Sequence, residues 1–319
     1  MDLRNTTFAR TSARPPATGR HRIAPTLLNV DAVITSSGEG SKQRIRAINA
    51  DPAAGLVLLN AMPHVQIIGT QYAKLIDELA DEVSLPVLSV ASRALEGDWL
   101  DGFEATLFVL ADKLPLVGSA GGTSKVAIVG HLLERNEEEG LANVTELEGM
   151  VRALGLEPVS TWLSGRPTTH LPRAGEADFI VGLPHARGAA ARLAERAGAI
   201  LIQAPLPFGL AGTRPFTTTI AETVGRTELA SKCDEDGLAR VIPRFERAVA
   251  HHLMGKRVAF LGDPHLFDGI VDITSEPGWS SLSSSATRDR RAPHRRSENP
   301  STLCPIRRAR ASWMFRSIS

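Results

Sequence analysis

Cysteine is scarce in this chain of 319 residues, which contains only Cys233 and Cys304. Two cysteines cannot form a disulfide framework, and no cysteine or histidine pair has the spacing of a structural zinc site. Long apolar runs are also missing, because no apolar stretch reaches about 18 residues and none of about seven follows the basic N-terminus. These absences predict a soluble cytoplasmic protein in a reducing compartment, with no secretory signal and no membrane partner.

Net charge is small, at +1, but it is unevenly distributed. Residues 1–24 carry five arginines and one acid, residues 278–319 carry nine arginines and two acids, and residues 25–277 carry 22 basic and 32 acidic side chains. An acidic body lacks the folded basic surface that nucleic acids require, so no nucleic-acid partner is expected. The N-terminal stretch is interpreted as a disordered, frayed or misassigned start, with an organelle transit peptide as the alternative.

Short apolar, β-branched runs alternate with amphipathic helical stretches from Asp31 onward. This alternation is typical of an α/β protein whose parallel sheet is covered on both faces. The glycine-rich stretch LVGSAGGTS separates two such runs, which places domain 1 at 25–117 and domain 2 at 118–277. After about Ser275 the periodicity stops and no further strand is predicted, so 278–319 is either a disordered tail or a chain that has left its reading frame.

The loops after the strands are the predicted ligand-binding regions, because an open α/β sheet binds ligands at the carboxyl ends of its strands. His64, His131 and His185 lie in three of these loops, where each is either a proton donor, a metal ligand or a surface residue that contacts a partner. A serine triad is excluded, because G-x-S-x-G is absent. Without a resemblance to a known family, the fallback is a two-lobed α/β binder with its ligand between the lobes.

Seven segments, in order and at similar spacing, resemble motifs of the nitrogenase component 1 superfamily between about Asp31 and Ile273. This superfamily includes the dinitrogenase subunits, the cofactor-assembly scaffolds and the dark-operative protochlorophyllide and chlorophyllide reductase subunits. Domain 1 contributes VITSSGEGSKQRIRAI, LLNAMPHVQIIGTQ and LPVLSVASRALEGDWLDGFEAT. Domain 2 contributes KVAIVG, EGMVRALGLEPVSTWLSG, APLPFGLAGTRPF and GKRVAFLGDPHL.

The resemblance implies repeated Rossmann-like domains, of which this chain would keep about two of three. It also implies a paralogous component 1-type subunit as partner, an ATP-dependent iron-sulfur reductase as electron donor, and a cluster held by cysteines. Met62 stands where the family has a cluster cysteine, and residues 182–185 contain none where the dinitrogenase α subunit has a cofactor-binding one. A thioether is a poor substitute for a thiolate, so a cluster is expected only if the partner subunit ligates it.

The leading hypothesis is therefore an oxidoreductase subunit that works on a bound substrate or cofactor, in nitrogen fixation or tetrapyrrole reduction. The alternatives are a cluster-free paralogue acting as a binding or cofactor-assembly scaffold, and a non-functional fragment. No catalytic residue or metal ligand is assigned. The candidates for cofactor binding or for the partner interface are Met62, His64, Gly69, Gly130, His131, His185, Pro207, Gly209 and Thr213.

Overall fold

Parallel strands alternate with helices along the chain, so the predicted α/β class is confirmed. The computed structural model describes residues 38–60, 72–90, 97, 99–118, 122–132, 140–248, 258–260, 269, 271–272 and 282–284. The N-terminal stretch 1–24 and the predicted first strand at 31–35 lie outside these ranges. Among the described residues, no helix is both long enough and apolar enough to cross a membrane.

Seven α-helices and eight strands make up the described part. The helices are α1 (Glu39–Asn49), α2 (Tyr72–Leu79), α3 (Trp99–Lys113), α4 (Gly140–Ala153), α5 (Arg187–Ala197), α6 (Gly209–Thr223) and α7 (Thr227–Ala248). The strands are β1 (Val57–Asn60), β2 (Val87–Val90), β3 (Lys125–Val129), β4 (Glu157–Thr161), β5 (Phe179–Gly182), β6 (Ile200–Gln203), β7 (Val258–Phe260) and β8 (Leu282–Ser284).

The first sheet consists of β1 and β2, which pair in parallel. Burial alternates along β1, so Val57 and Leu59 face a small core while Leu58 is exposed. That core is completed by Ile45 of α1 and by Leu75 and Leu79 of α2. Leu88 of β2 packs with α3, so helices lie against both faces of this strand pair, as the alternation of strands and helices in the sequence predicts.

The second sheet has the order β4-β3-β5-β6, with all strands parallel. Its central strand β3 is apolar on both sides because both faces of the sheet are covered. Val126 and Ile128 pack with α4, α6 and α7, whereas Ala127 and Val129 pack with α3 and α5. The helices therefore form two layers around one sheet.

The apolar core continues across the predicted boundary between residues 117 and 118. Leu107, Leu110 and Leu114, which precede the boundary, pack in one core with Ala127 and Val129 of β3. Helix α3 also contacts β2 of the first sheet. The two predicted domains thus share a helix layer, and their boundary remains a prediction.

Three elements differ from the sequence-based expectation. A 3-10 helix over Thr168–Glu176 was not predicted; Pro172 lies within it, and proline disrupts the regular α-helical hydrogen bonding on which the sequence reading relied. Helix α7 begins at Thr227 rather than near Glu235. The expectation that no strand follows residue 277 is wrong, because β8 pairs in parallel with β7. At three residues, β8 is too short for its alternation to be visible in the Ser-rich sequence.

Candidate functional site

The second sheet has a topological switch point between β3 and β5. The chain passes from β3 to its neighbour β4 on one side and then returns across β3 to β5 on the other. The helices that follow β3 and β5 therefore lie on opposite faces of the sheet, and the carboxyl edge at such a point is where open α/β sheets bind ligands. Gly130 and His131 follow β3, and residues 183–185 follow β5.

The two loops at the switch point are in close contact. Gly130 has a φ of 100°, and a Cβ atom there would lie 2.7 Å from the Ala186 Cβ and 3.1 Å from the Leu183 Cβ. The backbone N–H of Leu183 donates to the Val129 carbonyl at 2.9 Å. Glycine is required at position 130 because both the backbone conformation and the space exclude a side chain.

His131, the residue after Gly130, is a buried histidine at this edge of the sheet. Its side chain is 7% exposed, and its Nε2 atom is buried with no hydrogen-bond partner among the described residues. Burial lowers the pKa of His131, so the imidazole is neutral at neutral pH. A buried polar atom without a partner costs about 1–3 kcal/mol, and a ligand atom that hydrogen-bonded to Nε2 would offset that cost.

His185 lies on the other loop of the switch point. It belongs to the 3-10 turn Pro184–Ala186, it is half-buried, and it already interacts with another group of the protein. The structure therefore places Gly130 and His131 beside the loop that carries His185, and the role of these residues stays a prediction.

The candidates that follow β6 lie in a different place. Pro207 and Thr213 line a cleft of about 560 Å³ between α4, α6 and α7, and Gly209 is the first residue of α6. Gly209 has a φ of 60°, and its carbonyl accepts a hydrogen bond of 2.6 Å from the Thr213 hydroxyl. The remaining candidates, Met62, His64 and Gly69, lie outside the described residues.

A charged network at the carboxyl end of β4 was missed by the sequence reading. The Glu148 side chain is 2% exposed and accepts hydrogen bonds from the Thr161 hydroxyl at 2.8 Å, from Arg152 at 2.8 Å and from Arg166 at 2.9 Å. Burial alone would raise the pKa of Glu148, but the hydrogen bonds from these partners lower it below its ordinary value. The i,i+4 spacing of Glu148 and Arg152 was the one visible signal in the sequence.

His170 extends this network from the 3-10 helix. Because arginine can only donate, the contact of 3.0 Å between the Arg166 Nη1 and the His170 Nε2 makes Nε2 the acceptor. Burial and the nearby charges of Arg166 and Arg173 lower the pKa of His170. Both oxygens of the Glu148 carboxylate and the Nε2 of His170 have hydrogen-bond partners, which indicates a structural role.

The comparisons with known proteins agree with this architecture. The family model described as nitrogenase component 1 type oxidoreductase matches residues 3–298. The chain belongs to this family. Two chains titled nitrogenase Cp1, at pH 6.5 and at pH 5, share the fold with TM-scores of 0.63 and 0.64 at 18% and 12% identity. They cover 80% and 84% of this chain, which in turn covers 58% and 55% of them.

Curated relatives within the nitrogenase component 1 family are light-independent protochlorophyllide reductase subunits N. The protein of Halorhodospira halophila is 28% identical over 214 residues, which are 66% of this chain and 48% of the relative. The protein of Rhodospirillum rubrum is 30% identical over 182 residues, which are 56% of this chain and 39% of the relative. The chain therefore spans about half the length of the curated relatives that it matches.

The iron-sulfur cluster that the nitrogenase component 1 family implies does not fit the residues described. No group of three or more His, Cys, Asp or Glu side chains is arranged for a metal ion in the part of the chain that the structure describes. Cys233 is half-buried on α7, and burial together with Asp234 and Asp236 raises the pKa of its thiol. A thiol kept protonated in this way is a poor cluster ligand, because iron binds the thiolate.

Proposed function

We propose that this chain is the substrate-binding subunit of a nitrogenase component 1-type reductase complex, and that its ligand hydrogen-bonds to His131 at the switch point. The observation that carries the proposal is the buried, unpartnered Nε2 of a neutral imidazole at the carboxyl edge of the sheet. A polar atom in this state is rare in folded proteins and is satisfied once a ligand supplies the partner.

The proposed substrate is a tetrapyrrole of the protochlorophyllide type, since the relatives are named for the reduction of that compound. Such a molecule combines a large apolar ring system with a few carbonyl and carboxyl oxygens. At the switch point Leu183 and Ala186 are buried in the core of the protein, so the group that is offered to an oxygen of such a substrate is the Nε2 of His131. A neutral imidazole carries one proton, and in the tautomer that has it on Nε2 the ring can donate to an oxygen of the substrate.

The proposed complex contains a paralogous component 1-type subunit and receives electrons from an ATP-dependent iron-sulfur reductase in the cytoplasm. Any iron-sulfur cluster would be held by the partner subunit, because the thiol environment of Cys233 does not suit ligation. The role of this chain is then to bind and orient the substrate and to exclude water around His131.

The test is anaerobic co-expression of the chain with the paralogous subunit encoded beside its gene, followed by titration of the purified complex with protochlorophyllide. His131→Leu removes the polar atom at similar volume, His131→Gln keeps a neutral donor and acceptor, and Lys74→Ala, at a side chain of α2 that is 72% exposed, is the control. We expect about a tenfold loss of affinity in His131→Leu, partial recovery in His131→Gln and no change in the control. Equal affinity in all four proteins would overturn the proposal.

A cluster-free scaffold for cofactor assembly is the second candidate, favoured by the raised thiol pKa of Cys233 and by methionine at position 62. It predicts a stable complex whose iron content is unchanged by Met62→Ala and which turns over no substrate. A reductase assay on the purified complex distinguishes the two functions, since only the first requires product formation.

A further inference from the structure

The loop after β4, residues 163–167, joins that strand to the 3-10 helix Thr168–Glu176 and contains a strained residue. Leu163 has a φ of 57°, and in the described part of the chain it is the one non-glycine residue with a positive φ. This left-handed conformation is unfavourable for leucine, so it persists only where surrounding contacts hold the chain in place. Residues 165–167 are exposed, so packing does little to hold this part of the loop.

Both ends of this loop are anchored by hydrogen bonds whose groups do not titrate near neutral pH. At the start, the Trp162 backbone N–H donates to the Ile128 carbonyl at 3.0 Å, and the Trp162 indole N–H donates to the Leu171 carbonyl at 3.2 Å. At the end, the Ser160 hydroxyl donates to the His170 carbonyl at 2.9 Å. A rearrangement of the loop is therefore confined to the residues between these anchors.

Arg166 ties the middle of the loop to the β4 network. Its guanidinium contacts both oxygens of Glu148, at 2.7 and 2.9 Å, and its Nη1 lies 3.0 Å from the Nε2 of His170. The Thr161 backbone N–H also donates to this Nε2, at 3.4 Å. His170 thus accepts from two donors at Nε2, which is possible only while Nε2 carries no proton.

The surroundings of His170 oppose a proton on its ring. Burial and the positive charges of Arg166 and Arg173 lower the pKa of His170, and the negative charges of Glu148 and Glu176 offset them only in part. The neutral ring is therefore the form that fits the closed loop. The strands and the helix packed against the 3-10 helix carry further charged side chains, which are Lys125, Glu157, Arg187, Arg192, Glu195 and Arg196.

Protonation of His170 would make Arg166 and the imidazolium compete for one carboxylate. Glu148 is buried and is already shared by Arg152 and Arg166, so a third cation cannot pair with it in the same geometry. Arg166 is the cation that can leave, because its side chain is 38% exposed and its loop is strained. His170 is held in place by the hydrogen bond from Ser160 to its carbonyl.

We propose that the loop 163–167 is an acid-released latch, closed by Arg166 between Glu148 and neutral His170 and opened when a proton on His170 displaces Arg166. In the open state the Arg166 side chain is in water and Leu163 can leave the left-handed conformation, which favours opening. The latch requires no ligand at His131, so its test is independent of the proposed function.

The test measures what Arg166 contributes to stability at two pH values, by urea unfolding of the full chain. At about pH 7.5, Arg166→Ala should lower the folding equilibrium constant at least about tenfold. At about pH 5.0 it should lower the constant less than about twofold, because the latch of the wild type is then already open. Arg152→Ala is the matched control, since Arg152 pairs with the same carboxylate from within α4, and its effect should not shrink at the lower pH.

A His170→Gln background shows whether His170 is the group that takes the proton. The glutamine oxygen can replace Nε2 as an acceptor for Arg166, and it does not titrate in this range. In this background the loss caused by Arg166→Ala should stay about tenfold at both pH values, as a double-mutant cycle measures it.

Amide hydrogen exchange on the unaltered chain covers the case in which Arg166→Ala fails to fold. The Thr161 N–H loses its acceptor when Nε2 is protonated, so its protection factor should fall at least about tenfold from about pH 7.5 to about pH 5.0, while the central-strand residues Ile128 and Val129 stay protected. An equal loss from Arg166→Ala at both pH values, a loss that also shrinks at the lower pH in the His170→Gln background, or an unchanged protection factor at Thr161 would each overturn the proposal.

Discussion

The carboxyl ends of β3 and β4 lie side by side in one sheet, but the buried polar group at β4 is hydrogen-bonded and the one at β3 is not. At β4, the buried Glu148 carboxylate has three donor residues, and His170 accepts from Arg166. At β3, the Nε2 of His131 is buried and has no partner among the described residues. The paired network contributes to stability, whereas the unpaired nitrogen costs stability and is available to a ligand.

The largest expected effect is at Glu148. Glu148→Ala leaves Arg152 and Arg166 without their shared carboxylate and should lower the free energy of unfolding by about 3 kcal/mol. Breaking a buried pair costs about 3–5 kcal/mol in general, and the lower end applies because both arginines are partly exposed and regain water. Urea denaturation measures the change.

The control for this substitution is Glu146→Ala, one half-turn away on α4. Glu146 is 62% exposed and pairs with Arg240 across the cleft, so its loss should cost less than about 0.5 kcal/mol. A Glu148→Ala protein as stable as the Glu146→Ala protein would show that the β4 network is not structural.

His131→Leu should have the opposite sign from Glu148→Ala. It replaces an unpartnered polar ring with an apolar side chain of similar volume, so the free energy of unfolding should stay the same or rise by about 1 kcal/mol. Thermal and urea unfolding check this without any ligand. A loss of 2 kcal/mol or more, on the scale of core truncations, would mean that the ring makes contacts that leucine cannot replace.

The same contrast shows what the sequence could reveal. The switch-point candidates Gly130, His131 and His185 could be placed from strand ends alone, because the loops after parallel strands meet at one edge of a sheet. The β4 network could not be placed in this way. Its members lie on three different segments, since Glu148 is on α4, Arg166 is in the loop after β4 and His170 is on the 3-10 helix, whose Pro172 interrupts the periodicity that identifies helices in a sequence.

The strands and helices around β3 were predictable because both faces of this sheet are buried, which produces continuous apolar runs. The cleft between α4, α6 and α7 was only half predictable, because Pro207 and Thr213 follow a strand, whereas lining residues such as Gly149 and Gly237 lie in mid-helix. Likewise β8 is specified by its pairing with β7, a non-local contact.

The pH dependence of stability separates the two regions further. The pKa values of His131 and His170 are lowered from an ordinary value of 6.5, so the unfolded chain binds more protons below that pH and stability falls as pH falls. The pKa of Glu148 is lowered from 4.5, so its contribution is lost only below about pH 4.5. His131→Leu should therefore flatten the stability profile just below pH 6.5, and Glu148→Gln should flatten it below 4.5.

Urea midpoints measured from about pH 2 to pH 8 check these windows. If the urea midpoint of the His131→Leu protein still falls below pH 6.5 as steeply as that of the wild type, other groups account for the titration. His170→Gln would then be the variant to measure. An unchanged profile below pH 4.5 in Glu148→Gln would contradict the paired state of the carboxylate.

The smallest expected effect tests whether the donors of the β4 network are redundant. Arg152 is 54% exposed and contacts only the Oε2 side of Glu148, while Arg166 contacts both carboxylate oxygens. Arg152→Ala should therefore cost about 0.5 kcal/mol, the value of an exposed i,i+4 pair, because Arg166 and Thr161 still satisfy the carboxylate. Arg166→Ala should cost more, since it also removes the donor to His170. Equal losses in the two variants, measured by urea unfolding, would mean that the network depends on its total charge rather than on the geometry of Arg166.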